Sequence, residues 1–386
     1  MAKAHKVIFY PVGNGDTSQV ITTEDRRLLF DFRHCAKSED ADEPEIDLAK
    51  RLREELKASG RSNFDVVAFT HGDLDHIQGS TEFFRLEHDK NAQGADRIRA
   101  DVMWFPAAML LAEPGTAEEQ KREEYVLCKE GRHRLLDGAG VLVFSRPKAL
   151  IDWLEGEMKK RGLPTDARDH LFVDAGQLVP GFTLEEDAVE VFCHSPFIKH
   201  CGDGTDIIRN DASLIFNVRM QLGSETYDYL EVGDSTWEVL EEIVTTTKRH
   251  GNMDRLEWDI FNIPHHCSYK ALSDEKGDKI TDPKPLVKEI LLGGKKDSYI
   301  VSSSRPILNT KEGYEQEQPP HIQARNAYEK YLEEVGGRKF LVTGEHPRAN
   351  SSEPIEFEID GSGLWLKAAT AAGSAAILRS TAPRAG

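Results

Sequence analysis

The sequence predicts an α/β fold, sheets covered by helices, on three observations. Strand-like alternation and helical periodicity follow one another in both halves of the chain. The apolar run at 65–70 reads as a buried strand. It leads directly into His71-Gly72-Asp73-Leu74-Asp75-His76, four potential metal ligands within six residues. A strand that ends in such a turn can aim imidazoles and carboxylates at one point, and burying them uncompensated would be costly.

Each element follows from its local pattern. Alternation marks strands across 5–32, and Leu48, Leu52 and Leu56 give 47–59 a helical stripe with Gly60 as its C-cap. The strand at 64–70 comes next, then helix-like sequence over 77–85 and a short buried strand ending at Val102-Met103-Trp104-Phe105. Residues 107–165 are rich in Glu, Lys and Arg and read as a helical insertion, in which Leu150, Trp153, Leu154 and Met158 form a packing stripe. Strands return at 188–193, 212–220 and 226–232. Ser235-Thr236 caps a helix over 237–249. A strand at 259–263, a helix at 283–292, a strand at 298–302, a helix at 325–334 and a strand at 339–343 complete the pattern. The organisation expected is one domain over 1–368 and a small-residue tail over 369–386.

Composition sets bounds on function. At 39% hydrophobic and 30% charged residues, the 386-residue chain is globular rather than disordered. No apolar stretch approaches the ~20 residues that span a bilayer, and the N-terminus lacks a signal-peptide h-region, so a cytoplasmic location and no membrane partner are expected. Five cysteines without a CxxC pair point to reduced thiols, with a zinc knuckle around Cys193 and Cys201 as the competing reading. A formal charge of −18 weighs against long duplex DNA as a substrate, though not against a short strand or a nucleotide.

The His-x-Asp-x-Asp-His turn resembles the metallo-β-lactamase superfamily, whose usual signature is His-x-His-x-Asp-His. With Asp73 at the second position it is similar to the branch that holds the hydrolase domain of the competence protein ComEC and the pneumococcal phosphorylcholine esterase. Four further segments agree in order: Val12-Gly13-Asn14-Gly15-Asp16, Asn210-Asp211-Ala212-Ser213-Leu214-Ile215, Leu230-Glu231-Val232-Gly233-Asp234 and Ile263-Pro264-His265-His266-Cys267-Ser268. The resemblance spans roughly residues 5–368 and implies an αβ/βα metallo-β-lactamase sandwich with its site at the strand ends.

The resemblance also implies a ligand set for two divalent ions, Zn²⁺ or Mn²⁺. His71 and Asp73 would hold one and Asp75 and His76 the other, and such a pair activates water for attack in line. Asp234 is the candidate bridge, because a carboxylate can join two cations and an imidazole cannot. His265 or His266 completes the set; successive strand residues face opposite ways, so His265 is taken as ligand and His266 as substrate contact or proton donor. Asp211 is either a ligand or a hydrogen-bonding support, and His321 reads as a helix N-terminal histidine near a family site position. Asp73 makes the site harder and shifts preference towards Mn²⁺. Cys267 stands where the family has glycine and reads as a packing residue.

These expectations add up to a hydrolase of a phosphodiester, such as a nucleic-acid end, a single strand or a nucleotide-like molecule. Asp75 and His266 are the candidate catalytic residues. Hydrolysis of a small ester, thioester or lactam is the alternative within enzymes. A metal-stabilised sensor that docks a protein partner through 107–165 is the alternative outside them.

Overall fold

The computed structural model describes residues 4–40, 42–113, 116–202 and 209–368. The expected tail at 369–386 lies outside them. In chain order the strands are β1 (His5–Phe9), β2 (Ser18–Ile21), β3 (Arg27–Phe30), β4 (Asn63–Ala68), β5 (Arg99–Pro106), β6 (Val141–Phe144), β7 (Phe172–Val173), β8 (Val189–Ser195) and β9 (Ile215–Leu222). They continue as β10 (Glu225–Val232), β11 (Trp258–Asn262), β12 (Gly294–Ser302), β13 (Lys339–Val342), the short pair β14 (Pro347–Arg348) and β15 (Ser351–Ser352), then β16 (Ile355–Asp360) and β17 (Gly363–Leu366).

These strands form two large sheets. The first runs β17-β16-β1-β2-β3-β4-β5-β6-β7 and the second β13-β12-β11-β10-β9-β8. Pairing is antiparallel from β17 to β3 and parallel from β3 to β7. In the second sheet β10 to β13 are parallel, while β8 and β9 are antiparallel. Parallel strands need crossover connections, which the helices supply.

The sheets share one apolar layer. Phe9, Phe30, Val66 and Trp104 of the first sheet pack with Phe216, Tyr229, Ile260 and Val301 of the second. Ring pairs such as Phe9–Tyr229 and Trp104–Phe216, with centroids 5.6 and 5.4 Å apart, cross the interface. Along β9, Phe216, Val218 and Met220 recur at the strand period of two on this inner face. The outer faces are covered by helices. Leu48, Leu52 and Leu56 of Leu48–Ala58, with Leu150, Leu154 and Met158 of Lys148–Lys160, cover the first sheet. Trp237–His250, Pro285–Leu291 and Ile322–Glu334 cover the second. The architecture is the expected αβ/βα sandwich. No helix among the described residues is long and apolar enough to cross a membrane.

Two local readings need correction, and one element has no counterpart in the sequence analysis. Residues 107–165 are not an all-helical insertion, because Val141–Phe144 forms β6, paired with β5 and β7. Its four apolar residues are fully buried, and Gly138 and Gly140 at positive φ end the preceding helix. The helix expected over 77–85 is two single turns, Leu74–Ile77 and Ser80–Phe83, broken at Gly79 with φ 82°. The hairpin of β16 and β17 was not read from the sequence; it extends the first sheet beyond β1. The five cysteines are free thiols; Cys193 donates to the Ser195 carbonyl and His194 faces the Arg255 carbonyl, and among the described residues neither falls in a group placed to hold a metal ion.

The Glu123–Asp137 helix is locked down by a buried ion pair. Glu130, 0% exposed, accepts from the backbone N–H groups of Glu87 and His88, from His88 Nδ1 at 2.7 Å and from Arg134 Nε at 2.6 Å. Arg134 in turn donates to the carbonyls of Ala100 and Gly140, tying the helix to β5 and β6. Burial opposes ionisation of Glu130, but His88 and Arg134 outweigh it and bring its pKa from 4.5 down to about 2. A depressed carboxylate pKa stabilises the fold above the unfolded value, and that contribution fades as pH falls towards the folded value. Glu130→Gln should therefore cost ~3 kcal/mol at neutral pH. Urea titrations of both proteins should show the gap closing as pH drops from about 4.5 to about 2. A gap that is independent of pH would show that the charge of Glu130 is not what stabilises the helix.

Candidate metal centre

The site lies where the two sheets meet at their strand ends. The Thr70 carbonyl, just past β4, accepts the Leu214 N–H at the start of β9, which joins the sheets by backbone. Gly233 lies between those strand ends, and a Cβ there would come within 3.0 Å of both Thr70 and Ser213. A side chain there would press on both neighbours, and the bare backbone brings the next residue, Asp234, against the 71–76 turn.

Asp234 is buried and faces four imidazoles. Its Oδ1 is 3.2 Å from His76 Nε2, and its Oδ2 is 3.6 Å from His266 Nε2, 3.8 Å from His265 Nε2 and 4.0 Å from His71 Nε2. His266 Nε2 is also 3.3 Å from Asp75 Oδ2. Asp75, His76, Asp234 and His266 each offer a donor atom, all within 4.8 Å of one another, so they can hold a metal ion.

The polar atoms inside this cage bear out the fit. Nε2 of His71, His76 and His266 and Oδ1 of Asp234 are buried without a hydrogen-bond partner. Orphaned buried polar atoms are rare in folded proteins, and a cation held by His76, Asp234 and His266 would satisfy theirs, with His71 Nε2 turned to the edge of the same space. The outward nitrogens, by contrast, are fixed. His76 Nδ1 donates to Asp31 Oδ2 at 2.6 Å and His266 Nδ1 donates to the Ser303 carbonyl at 2.9 Å, which turns each Nε2 inward as a ligand requires.

The electrostatics agree. Burial opposes charging His76, but Asp234 and Asp31 hold its pKa well above the ordinary value. Burial likewise opposes the charge on His266, and Asp234 raises it to about 9. Asp234 itself is held well below the carboxylate range, against burial, by His266 and His76. Burial, with His76 beside it, lowers His71 to about 4, leaving a neutral imidazole. The negative charge of Asp234 is thus the field that favours cationic charge at this point.

The paired histidines depart from the strand-end expectation. His265, His266 and Cys267 all have positive φ, at 53°, 51° and 65°. Three successive left-handed residues turn the backbone so tightly that both rings approach Asp234, and Cys267 adopts the conformation that glycine would favour. His266 rather than His265 joins the four-group cage. His265 sits at the rim, 21% exposed, with burial lowering its pKa.

The other expected residues fall outside the cage. Asp211 accepts from Thr236 Oγ1 at the start of the Trp237–His250 helix, a supporting contact. His321 faces the Glu317 carbonyl and accepts from the Tyr269 N–H, bracing the turn after Cys267. Asp73 is half-exposed; its Oδ2 is 3.9 Å from His71 Nε2, while its Oδ1 accepts from Arg209 at 2.9 Å. Sequence reasoning missed Asp31, which follows β3 at φ 56° and also accepts from the Thr70 N–H and hydroxyl at 2.6 Å. Its one signal was an aspartate closing an apolar strand. It missed Arg209 as well, which no motif marks. A cavity of about 810 Å³ opens beside His71 and Gly72, lined further by Met109, Leu111, Tyr125 and Arg209.

No family model and no curated protein matches the chain. Among solved structures it is similar to a diphosphatase of the PhnP family, at 11% identity over 93% of this chain and 100% of that one, with a TM-score of 0.33. It is similar to an N-acyl homoserine lactone lactonase at 10% identity, 60% and 74% coverage and a TM-score of 0.27. A class B3 di-zinc metallo-β-lactamase from an Alaskan soil metagenome gives 11% identity, 85% and 90% coverage and a TM-score of 0.30. Likenesses this slight carry no argument; the two-sheet topology and the cage geometry stand by themselves.

Asp31 is a positioning residue by this geometry. Asp31→Asn should weaken Zn²⁺ or Mn²⁺ binding about tenfold or more while leaving the circular dichroism spectrum unchanged. Competition against a chelating dye measures it, and an unaltered affinity would remove Asp31 from the support of the cage.

Proposed function

We propose that this chain is a metal-dependent hydrolase whose substrate is a phosphodiester. The observation that carries the reading is the cage of Asp75, His76, Asp234 and His266, with its unpartnered atoms turned inward beside the 810 Å³ cavity. A bound divalent ion supplies Lewis acidity and lowers the pKa of water.

The chain's own residues do the rest. Asp31 and the Ser303 carbonyl orient His76 and His266, and Asp234 concentrates negative charge at the centre. His265, at the rim with its Nδ1 unpartnered, can take up or relay a proton. The cavity volume falls in the range of small-ligand sites, which favours a nucleotide-like molecule or a strand end over a long duplex. Arg122 and Arg209 in its wall suit anionic oxygens. Carboxylate donors at Asp75 and Asp234, with Asp73 beside them, support a hard ion such as Mn²⁺ as well as Zn²⁺. A second reading, hydrolysis of a small ester or thioester, draws on the apolar part of the same wall, Met109 and Leu111.

The test is a panel of phosphodiesters and activated esters assayed with Zn²⁺ or Mn²⁺. Phosphodiester turnover should vanish with chelator and return with metal, and Asp75→Ala should lower it about 100-fold or more. Equal turnover by the variant would end the proposal, and turnover of esters alone would put the second reading in its place.

A further inference from the structure

The cage is asymmetric. Asp75, His76, Asp234 and His266 converge on one point, but the half built on His71 and Asp73 does not join them. That half offers His71 Nε2, 4.0 Å from Asp234 Oδ2, and one oxygen of Asp73 at 3.9 Å from the same imidazole. With Asp234 as a bridge the half would present three donors, the fewest that hold a divalent ion of this kind. The further donor that the sequence offered, Asp211, is turned to Thr236.

A side-chain cation already occupies the neighbourhood. Arg209 donates to Asp73 Oδ1 at 2.9 Å and forms an ion pair with Glu124 Oε2 at 2.8 Å, so its guanidinium is strapped between two carboxylates. Glu124 in turn lies flat against the turn: a Cβ on Gly72 would sit 3.0 Å from its Oε1. Arg209 also lines the cavity beside His71. A guanidinium stays protonated under all ordinary conditions. Any ion drawn to Asp73 would meet that fixed charge on the same carboxylate.

We propose that Arg209 provides, in the His71–Asp73 half of the cage, the positive charge that a second ion would otherwise bring, so that the chain holds one divalent ion tightly instead of two. The inference rests on the reading of the cage as a metal centre and refines it. It replaces one of the two ions expected from the sequence with a side chain. Both prongs of the guanidinium are spent on Asp73 and Glu124, so what it adds to the cavity wall is a fixed positive charge.

Metal stoichiometry tests this without reference to activity. The full chain is dialysed to equilibrium against Zn²⁺ and, separately, Mn²⁺, and the metal per chain is measured by mass spectrometry. Wild type should hold one ion per chain. Arg209→Gln should hold two, the second bound at least about tenfold more tightly than in wild type, the scale of one lost charge contact. Arg209→Lys, which keeps the charge, should stay at one. Arg209 is half-exposed, so neither substitution disturbs the core. Two ions of similar affinity in wild type, or a single ion in Arg209→Gln, overturns the proposal. Absence of any bound ion in all three proteins instead overturns the metal-centre reading beneath it.

Discussion

The buried carboxylate of Asp234 is the constraint around which the site is organised. Moving such a charge out of water costs several kcal/mol unless opposite charge surrounds it. Four imidazoles reach it within 4.0 Å, and they come from two different segments. His71 and His76 follow β4 in the first sheet, while His265 and His266 follow β11 in the second. Asp234 itself follows β10. Compensating this one charge therefore requires the two sheets to meet at these ends, in the register set by the Thr70–Leu214 backbone bond and the bare backbone of Gly233.

The ground behind the cage is acidic too, and it is kept from competing. Asn262, fully buried, donates to both Asp16 Oδ1 and Glu231 Oε1 and accepts from the Ser303 hydroxyl. Burial, with Asp16 beside it, pushes the pKa of Glu231 well above the carboxylate range, and burial lifts Asp16 to about 6. A protonated Glu231 asks for no counter-charge. Negative charge is thereby concentrated at Asp234, in the midst of the imidazoles, where a cation is useful. Ser303 links the two layers, because its carbonyl orients His266 while its hydroxyl anchors Asn262.

How much of this could be read from the sequence follows from how local each feature is. The alternating helices and strands and the strand-turn bearing His71 to His76 depend on neighbours along the chain, and periodicity displays them. The strand expected over 212–220 was legible for the same reason. The fully buried run Val141–Phe144 was masked by the charged helices around it, since four apolar residues carry no period of their own. The 265–267 turn was misjudged because the rule that successive side chains alternate holds only for extended backbone, and three left-handed residues abolish it. Asp31 and Arg209 were illegible in principle. Asp31 meets His76 across 45 positions and Arg209 meets Asp73 across 136, and nothing in either local pattern records the partner.

A deeper asymmetry lies in the charge balance of the whole chain. With 67 acidic residues against 49 lysines and arginines, carboxylates are abundant and cations are shared. Lys295 serves both Asp228 and Asp259, and Arg219 serves both Asp228 and Asp254. Arg209 is likewise divided between Asp73 and Glu124. In such a background an extra carboxylate says little about a site, because any surface supplies one. Placement of a cation is the informative choice. A metal ion held in the cage would reverse the local potential there, and the few guanidinium groups on the cavity wall would then decide which anionic groups settle beside it. On the proposed reading, selectivity would follow from where the positive charges fall, with the acidic residues supplying the frame that holds them.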